Sequence, residues 1–325
     1  MITHHFEPQS SAQDFIDSLI HTQTSWQRPL RTIFAWRGVG DSEHHKLIPS
    51  ALRAENKEYL IRLAEISETS IYWSLSEPDR QVYLEFRVVE RFIAIADKSG
   101  LSVPELGPQM REAFDDFGSE ARQKQFESIL ANWPPKELIN LVSLVQHYGL
   151  PTRLLDWTSD VLTAAYFAAE SALRNSQNAT EAELDSRTLA VWCVNPLELS
   201  TALQRDLEKT ALTLKVEVGA PPRYQNPNLN AQSGMFSWLS GPDALKLDIA
   251  RTPLDETANR LLKAANLDSD RRFGTFMVSK LPWRHADELM SRLFNLGVSR
   301  AKLQPGYDGV SETVRQLSRL QWRPR

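Results

Sequence analysis

Hydrophobic positions along this chain follow two rhythms. Spacings of three and four residues, the repeat of a one-faced helix, occur at Phe15 and Leu19 within Ser11 to Gln23, and at Val82, Phe86, Val89 and Phe92 within Asp79 to Lys98. Further helical patterns cover Lys57 to Thr69, Pro108 to Ala131, Glu256 to Asn266 and Arg284 to Leu296, with a last helix from Ser311. Runs of β-branched and aromatic residues instead predict strands at Arg31 to Gly38, Leu189 to Val194, Leu212 to Val218 and Phe273 to Val278. Leu173 to Arg187 is polar without a period and reads as a surface loop. Helices dominate the first part, and strands and helices mix afterwards. This order favours an α+β fold over a regular βαβ alternation.

The densest stretch is Leu141 to Ala169. Pro134-Pro135 opens a helix whose Leu138, Leu141, Val142 and Val145 form one apolar stripe, and Gly149 and Pro151 end it. Thr152 to Thr158 reads as a short strand or extended turn, and Thr158, Ser159 and Asp160 are each able to cap a second helix through Ala169. Gln146, His147, Arg153, Asp156 and Thr158 therefore stand at element ends, where side chains are free to meet a ligand.

Composition narrows the class. With 325 residues, 42% hydrophobic and 24% charged, the chain buries a sizeable core, and we expect a single domain over 1–325 with a helical insertion at 54–131 and a C-terminal α/β portion at 251–325. Apolar runs fall short of the roughly 18 residues of a membrane span, and the N-terminus has no apolar signal core, so a cytoplasmic location is expected. Cys193, the one cysteine, sits in an apolar run and reads as an inert buried thiol. The histidine pairs His4-His5 and His44-His45 lack metal-ligand spacing, and no metal is expected. The net charge of −4 argues weakly against general nucleic-acid binding, yet it is uneven: residues 251–325 hold 14 Lys and Arg against 8 Asp and Glu, a net +6, leaving −10 for residues 1–250. That asymmetry keeps open a second class, a non-catalytic interaction or effector module docking a protein partner or nucleic acid through its basic C-terminal third.

Four separated stretches carry a family resemblance. They are Trp36-Arg37-Gly38 with Leu47-Ile48-Pro49-Ser50, the run Gln146 to Thr158 with Ala165-Tyr166-Phe167-Ala168, Ala231 to Phe236, and Gln304 to Gly309. Together they resemble the FRG domain, named for an aromatic-Arg-Gly motif; the usual Phe is Trp36 here, which keeps an aromatic body in place. A more distant resemblance, in the order of an aromatic-Arg-Gly strand end, a strand ending in Ser or Thr and an AAxxFA-like helix, is to the arginine-serine-glutamate ADP-ribosyltransferases. It implies a mostly antiparallel small-sheet core with inserted helices, and NAD as ligand. It further implies that an arginine holds the pyrophosphate, a hydroxyl residue orients the nicotinamide ribose and a late glutamate stabilises the transition state.

Arg37 suits the first role, its planar charged fork matching a phosphate pair. Thr158 suits the second. At the third position stands the neutral Gln232, so the carboxylate comes from Asp156 or the chain binds a nucleotide without turning it over. His147 is the candidate proton carrier, while Tyr148, Trp157 and Arg153 are candidate ligand contacts. Each has a plainer alternative: Arg37 and Asp156 as a structural ion pair, Arg153 as a brace of the turn, Tyr148 and Trp157 as packing, His147 as a favourable helix end and Gln232 as the cap of a bulge in an edge strand.

Overall fold

The computed structural model describes residues 3–26, 34–104, 129, 131–196, 213–220, 231–264 and 276–321; most of the predicted helix at Pro108 to Ala131 lies outside them. Seven strands, β1 (Thr3–His5), β2 (Ala35–Val39), β3 (Leu155–Thr158), β4 (Thr188–Val194), β5 (Lys215–Gly219), β6 (Gly234–Ser240) and β7 (Phe276–Pro282), form one sheet in the order β1-β7-β4-β2-β3-β6-β5. Only the β1–β7 pairing is parallel; the others are antiparallel. The architecture is mixed α+β with a mostly antiparallel sheet. β6 lies between β3 and β5 rather than at an edge, and Gln232 precedes it in a turn, so the edge-bulge alternative for Gln232 does not describe its position.

Helices cover both faces. On one face lie α1 (Ala12–Trp26) and, later in the chain, the helix Val161–Asn175, with Phe15, Leu19, Trp36 and Val191 in their shared core. Next to the sheet's second half stand α2 (Lys57–Ala64), α3 (Glu77–Lys98) and α4 (Ile139–His147), whose core holds Phe86, Trp133, Leu141 and Val145 and reaches Phe236 and Trp238 of β6. The alternate side chains of the strands, among them Leu155, Trp157, Trp192 and Val216, build a third cluster on the opposite face.

α4 ends as its sequence dictates. Gly149 takes a left-handed φ of +84°, its N–H donates to the Gln146 carbonyl at 2.9 Å, and the Leu150 N–H donates to the Val145 carbonyl at 3.2 Å. Of the three possible caps for the next helix, α5 (Val161–Asn175), Asp160 does the capping: its carboxylate accepts from the Leu162 N–H at 3.0 Å.

α5 presses on β2 through a stripe of small residues, Ala164, Ala165, Ala168, Ala169 and Ala172, all buried. A Cβ placed on Gly38 would lie 1.9 Å from the Ala164 carbonyl oxygen and 2.7 Å from the Ala168 nitrogen. The glycine of the Trp-Arg-Gly motif is thus required by helix contact, and the arginine before it is locked into a strand that cannot shift away from α5.

One expected loop is structured. α5 runs to Asn175, and residues Glu181–Ser186 form α6, closed by a reciprocal capping box between Thr180 and Glu183. The Thr-x-x-Glu signature was legible, but the apolar periodicity that usually accompanies it is missing. The remaining α-helices among the described residues are α7 (Leu247–Ala250), α8 (Leu254–Ala264), α9 (Ala286–Asn295), α10 (Arg300–Leu303) and α11 (Tyr307–Gln321), the last beginning ahead of Ser311. No helix among the described residues is long and apolar enough to cross a membrane.

Candidate functional site

The centre of the sheet is its weakest seam. β2 shares five register pairs with β4 but a single pair, Trp36 with Thr158, with β3. Beyond that pair a side chain replaces the backbone ladder: Nη1 of Arg37 donates to the Asp156 carbonyl at 2.8 Å and to the Asp156 carboxylate. Gln146, from the last turn of α4, adds a bond to the same carboxylate at 3.2 Å and is itself held by the Thr152 hydroxyl.

A cleft of about 520 Å3 opens over this seam, within the range of small-molecule sites. It is lined by Trp36, Arg37, Gly38 and Asp156 of the two seam strands, by His147 and Tyr148 at the end of α4, and by Gln232, Arg300 and Gln304. All four sequence stretches singled out above therefore meet here. They are also bonded to one another. The first reaches the second through Arg37 and Asp156, and again where the Thr152 N–H donates to the Ser50 hydroxyl at 3.2 Å. The second reaches the third where the Thr158 hydroxyl donates to the Gln232 carbonyl at 2.7 Å, and the Gln232 amide donates to the carbonyl of Leu303, just before Gln304, at 3.0 Å.

The predicted residues divide by environment. The Arg37 side chain is largely buried; its Nε–H has no hydrogen-bond partner among the described residues, and neither Nη2 hydrogen is engaged. Asp156 shows 61% of its side-chain surface. Enclosure opposes its ionisation, but the Arg37 guanidinium, both as charge and as donor, outweighs this together with the more distant Arg53, and the carboxyl sits below its ordinary pKa. Thr158 is buried, and its hydroxyl both donates to Gln232 and accepts from the Asp160 N–H at 3.0 Å. Burial, and next the charge of Arg300, hold the His147 pKa below the usual histidine value, so the imidazole is neutral at pH 7.

Two aromatic candidates separate clearly. Tyr148 is 64% exposed at the cleft wall. Trp157 is also among the cleft-lining residues, but its ring is buried and its Nε1–H donates to the Ser237 hydroxyl at 2.8 Å.

Arg153 is not a cleft residue. It forms a buried two-pronged pair with Glu85 of α3, Nε to Oε2 at 2.7 Å and Nη2 to Oε1 at 2.9 Å, and Trp133 and Gln81 also donate to that carboxylate. The turn before β3 is thereby anchored to α3, and the expected ligand contact gives way to the brace. Sequence reasoning missed Glu85, because the pairing spans 68 residues and leaves no local signal. It also missed Arg53, whose pKa is lowered by burial and then by Arg37, which places a second guanidinium behind the site.

Five arginines of the basic C-terminal third are ion-paired, three of them to carboxylates that precede this third. Arg251 pairs with Glu77, Arg284 with Asp185, Arg292 with Glu288, Arg300 with Glu170 and Arg315 with Glu312. Cys193 is buried, and burial pushes its thiol well above the ordinary value.

A mixed sheet opened at its central seam, with charged and amide side chains gathered over the opening, defines an α+β protein with a polar cleft of ligand size. Residues 32–177 match the model of the FRG domain, so that segment of the chain is similar to this family. That span supplies Arg37, His147, Asp156 and Thr158, while Gln232, Arg300 and Gln304 come from outside it. No curated protein and no solved structure matches the chain.

Proposed function

We propose that the cleft binds a nucleotide-like anionic ligand, with NAD the first candidate, and that the reaction class is ADP-ribosyl transfer or NAD hydrolysis in a fold akin to the ADP-ribosyltransferases. The observation that carries this reading is the convergence of Arg37, Asp156 and Gln232 in one cleft at the sheet's seam. The unengaged Nη2 edge of Arg37 suits a phosphate oxygen pair. The Gln232 amide oxygen, which has no hydrogen bond among the described residues, and the remaining lone pair of Thr158 are acceptors for ribose hydroxyls. Breaking the nicotinamide–ribose bond builds positive charge on the sugar ring; Asp156, ionised at neutral pH, is the carboxylate available to stabilise it in place of a late glutamate. Neutral His147 is able to take the proton of an attacking hydroxyl or water. Tyr148 offers the exposed ring on which a base or nicotinamide stacks.

The test combines calorimetric titration with NAD and ADP-ribose and chromatographic detection of released nicotinamide. Arg37→Gln weakens binding of both ligands, Asp156→Asn spares binding and removes release, and Tyr148→Ala weakens binding with little effect on stability. A wild-type chain that binds neither ligand at millimolar concentration and releases no nicotinamide refutes the reading. Internal pairing of the C-terminal arginines gives the nucleic-acid docking alternative no corresponding support.

A further inference from the structure

The cleft lining carries a cation that the nucleotide reading has not used. Arg300 lines the cleft with 28% of its side chain exposed, and it is held unusually firmly. Its Nε donates to the Gln304 amide oxygen at 2.9 Å and its Nη1 to both Glu170 oxygens at 3.3 and 3.1 Å. Glu170 is fixed in turn: the Gln316 amide donates to it at 2.9 Å and the buried Tyr166 hydroxyl at 3.3 Å. Nη2 of Arg300 makes no hydrogen bond among the described residues.

Bracing of this kind fixes where the unengaged edge sits before any ligand arrives, which lowers the entropy lost on binding. Arg37 is arranged alike, with one prong tied to Asp156 and Nη2 left over. The cleft lining holds these two arginines against one aspartate, a net +1 that favours an anion, and the two Nη2 groups offer separate donor edges to it.

We propose that Arg300 is a second anion contact of the cleft and that the ligand class is a pyrophosphate-bridged nucleotide, whose two phosphates are read by Arg37 and Arg300, rather than a nucleoside or a nucleoside monophosphate. This rests on the nucleotide reading above and narrows it. Selectivity for two linked phosphates then comes from outside the matched family segment, through α10.

The experiment compares ADP-ribose with AMP as calorimetric probes of the full chain. The wild type prefers ADP-ribose. Arg300→Gln leaves a polar donor on a shorter side chain and removes the charge; it weakens ADP-ribose by about tenfold, the scale of one charge-assisted hydrogen bond, while AMP changes by less than about twofold. Equal weakening of both probes assigns Arg300 a structural role and overturns the proposal, as does no weakening of either. A wild type that binds neither probe defeats the underlying nucleotide reading, an outcome distinct from both. Should Arg300→Gln fail to fold, the arginine Nε–H resonances of the wild-type chain are followed by NMR during titration with ADP-ribose, the Arg300 signal being assigned with Arg300→Lys. Movement of the Arg300 signal at ADP-ribose concentrations that saturate the site supports the proposal, and a static signal overturns it.

Discussion

Removing the Glu85 carboxylate is the sharpest test of how the site is held. Glu85 and Arg153 are 3% and 4% exposed at the side chain, and the carboxylate accepts from Arg153 twice, from Trp133 at 2.9 Å and from Gln81 at 3.0 Å. Glu85→Ala leaves a buried guanidinium without its counter-ion, a loss of about 3–5 kcal/mol. Against a typical stability of about 5–15 kcal/mol, this is a large part of the total. Glu85→Leu with Arg153→Met removes both charges and leaves only the Trp133 and Gln81 donors uncompensated, at about 1–3 kcal/mol each in the worst case. The double variant is therefore more stable than Glu85→Ala, because both strand the same two neutral donors and only Glu85→Ala also strands a charge. Urea unfolding followed by far-ultraviolet circular dichroism measures all three chains. A loss below about 1 kcal/mol for Glu85→Ala would refute the reasoning, since no buried charge could then have been stranded. The double variant also retains ligand affinity, because neither residue lines the cleft.

Two further outcomes follow from the seam. Gly38→Ala drives a methyl group into the backbone of α5, at 1.9 Å from the Ala164 carbonyl oxygen; it costs about 3 kcal/mol or more, at the upper end of overpacking penalties, and thermal unfolding reads it directly. Asp156 has a depressed folded-state pKa, so its contribution to stability is complete above the unfolded value of about 4 and is lost as pH falls through the folded value. Unfolding curves of wild type and Asp156→Asn are accordingly separated by a constant amount at pH 5–7 and draw together progressively below about pH 4; a gap that does not narrow as pH falls contradicts the ion-pair account.

Local chemistry made much of this architecture readable. Gly149 and Pro151 closed α4, Asp160 was among three named caps for α5, and the β-branched runs marked β4 and β7 within a few residues. These features act over one or two turns, so neighbouring residues suffice to reveal them. Arg37, His147, Asp156, Thr158 and Gln232 were each legible as polar residues at element ends, and their motifs gathered them before the fold did. What stayed hidden depends on contacts across the chain: Glu85 with Arg153, Glu170 with Arg300, and the Gln232 amide on the Leu303 carbonyl. Nothing within a window around Arg153 distinguishes a guanidinium aimed at ligand from one aimed at a carboxylate on a distant helix. Trp157 was hard to place for a related reason: its ring is buried and its residue still lines the cleft, where β2 and β3 splay apart with one register pair between them.

That splay has a mechanical consequence. With one backbone pair between them, the plate β1-β7-β4-β2 and the plate β3-β6-β5 are joined by a rivet, Trp36 on Thr158, and a strut, Arg37 on Asp156. A molecule seated in the cleft bridges the two plates as a third fastener. Occupancy is then transmitted along strands on both sides at once, and amide exchange in β2 and β3 slows together when the joint is filled.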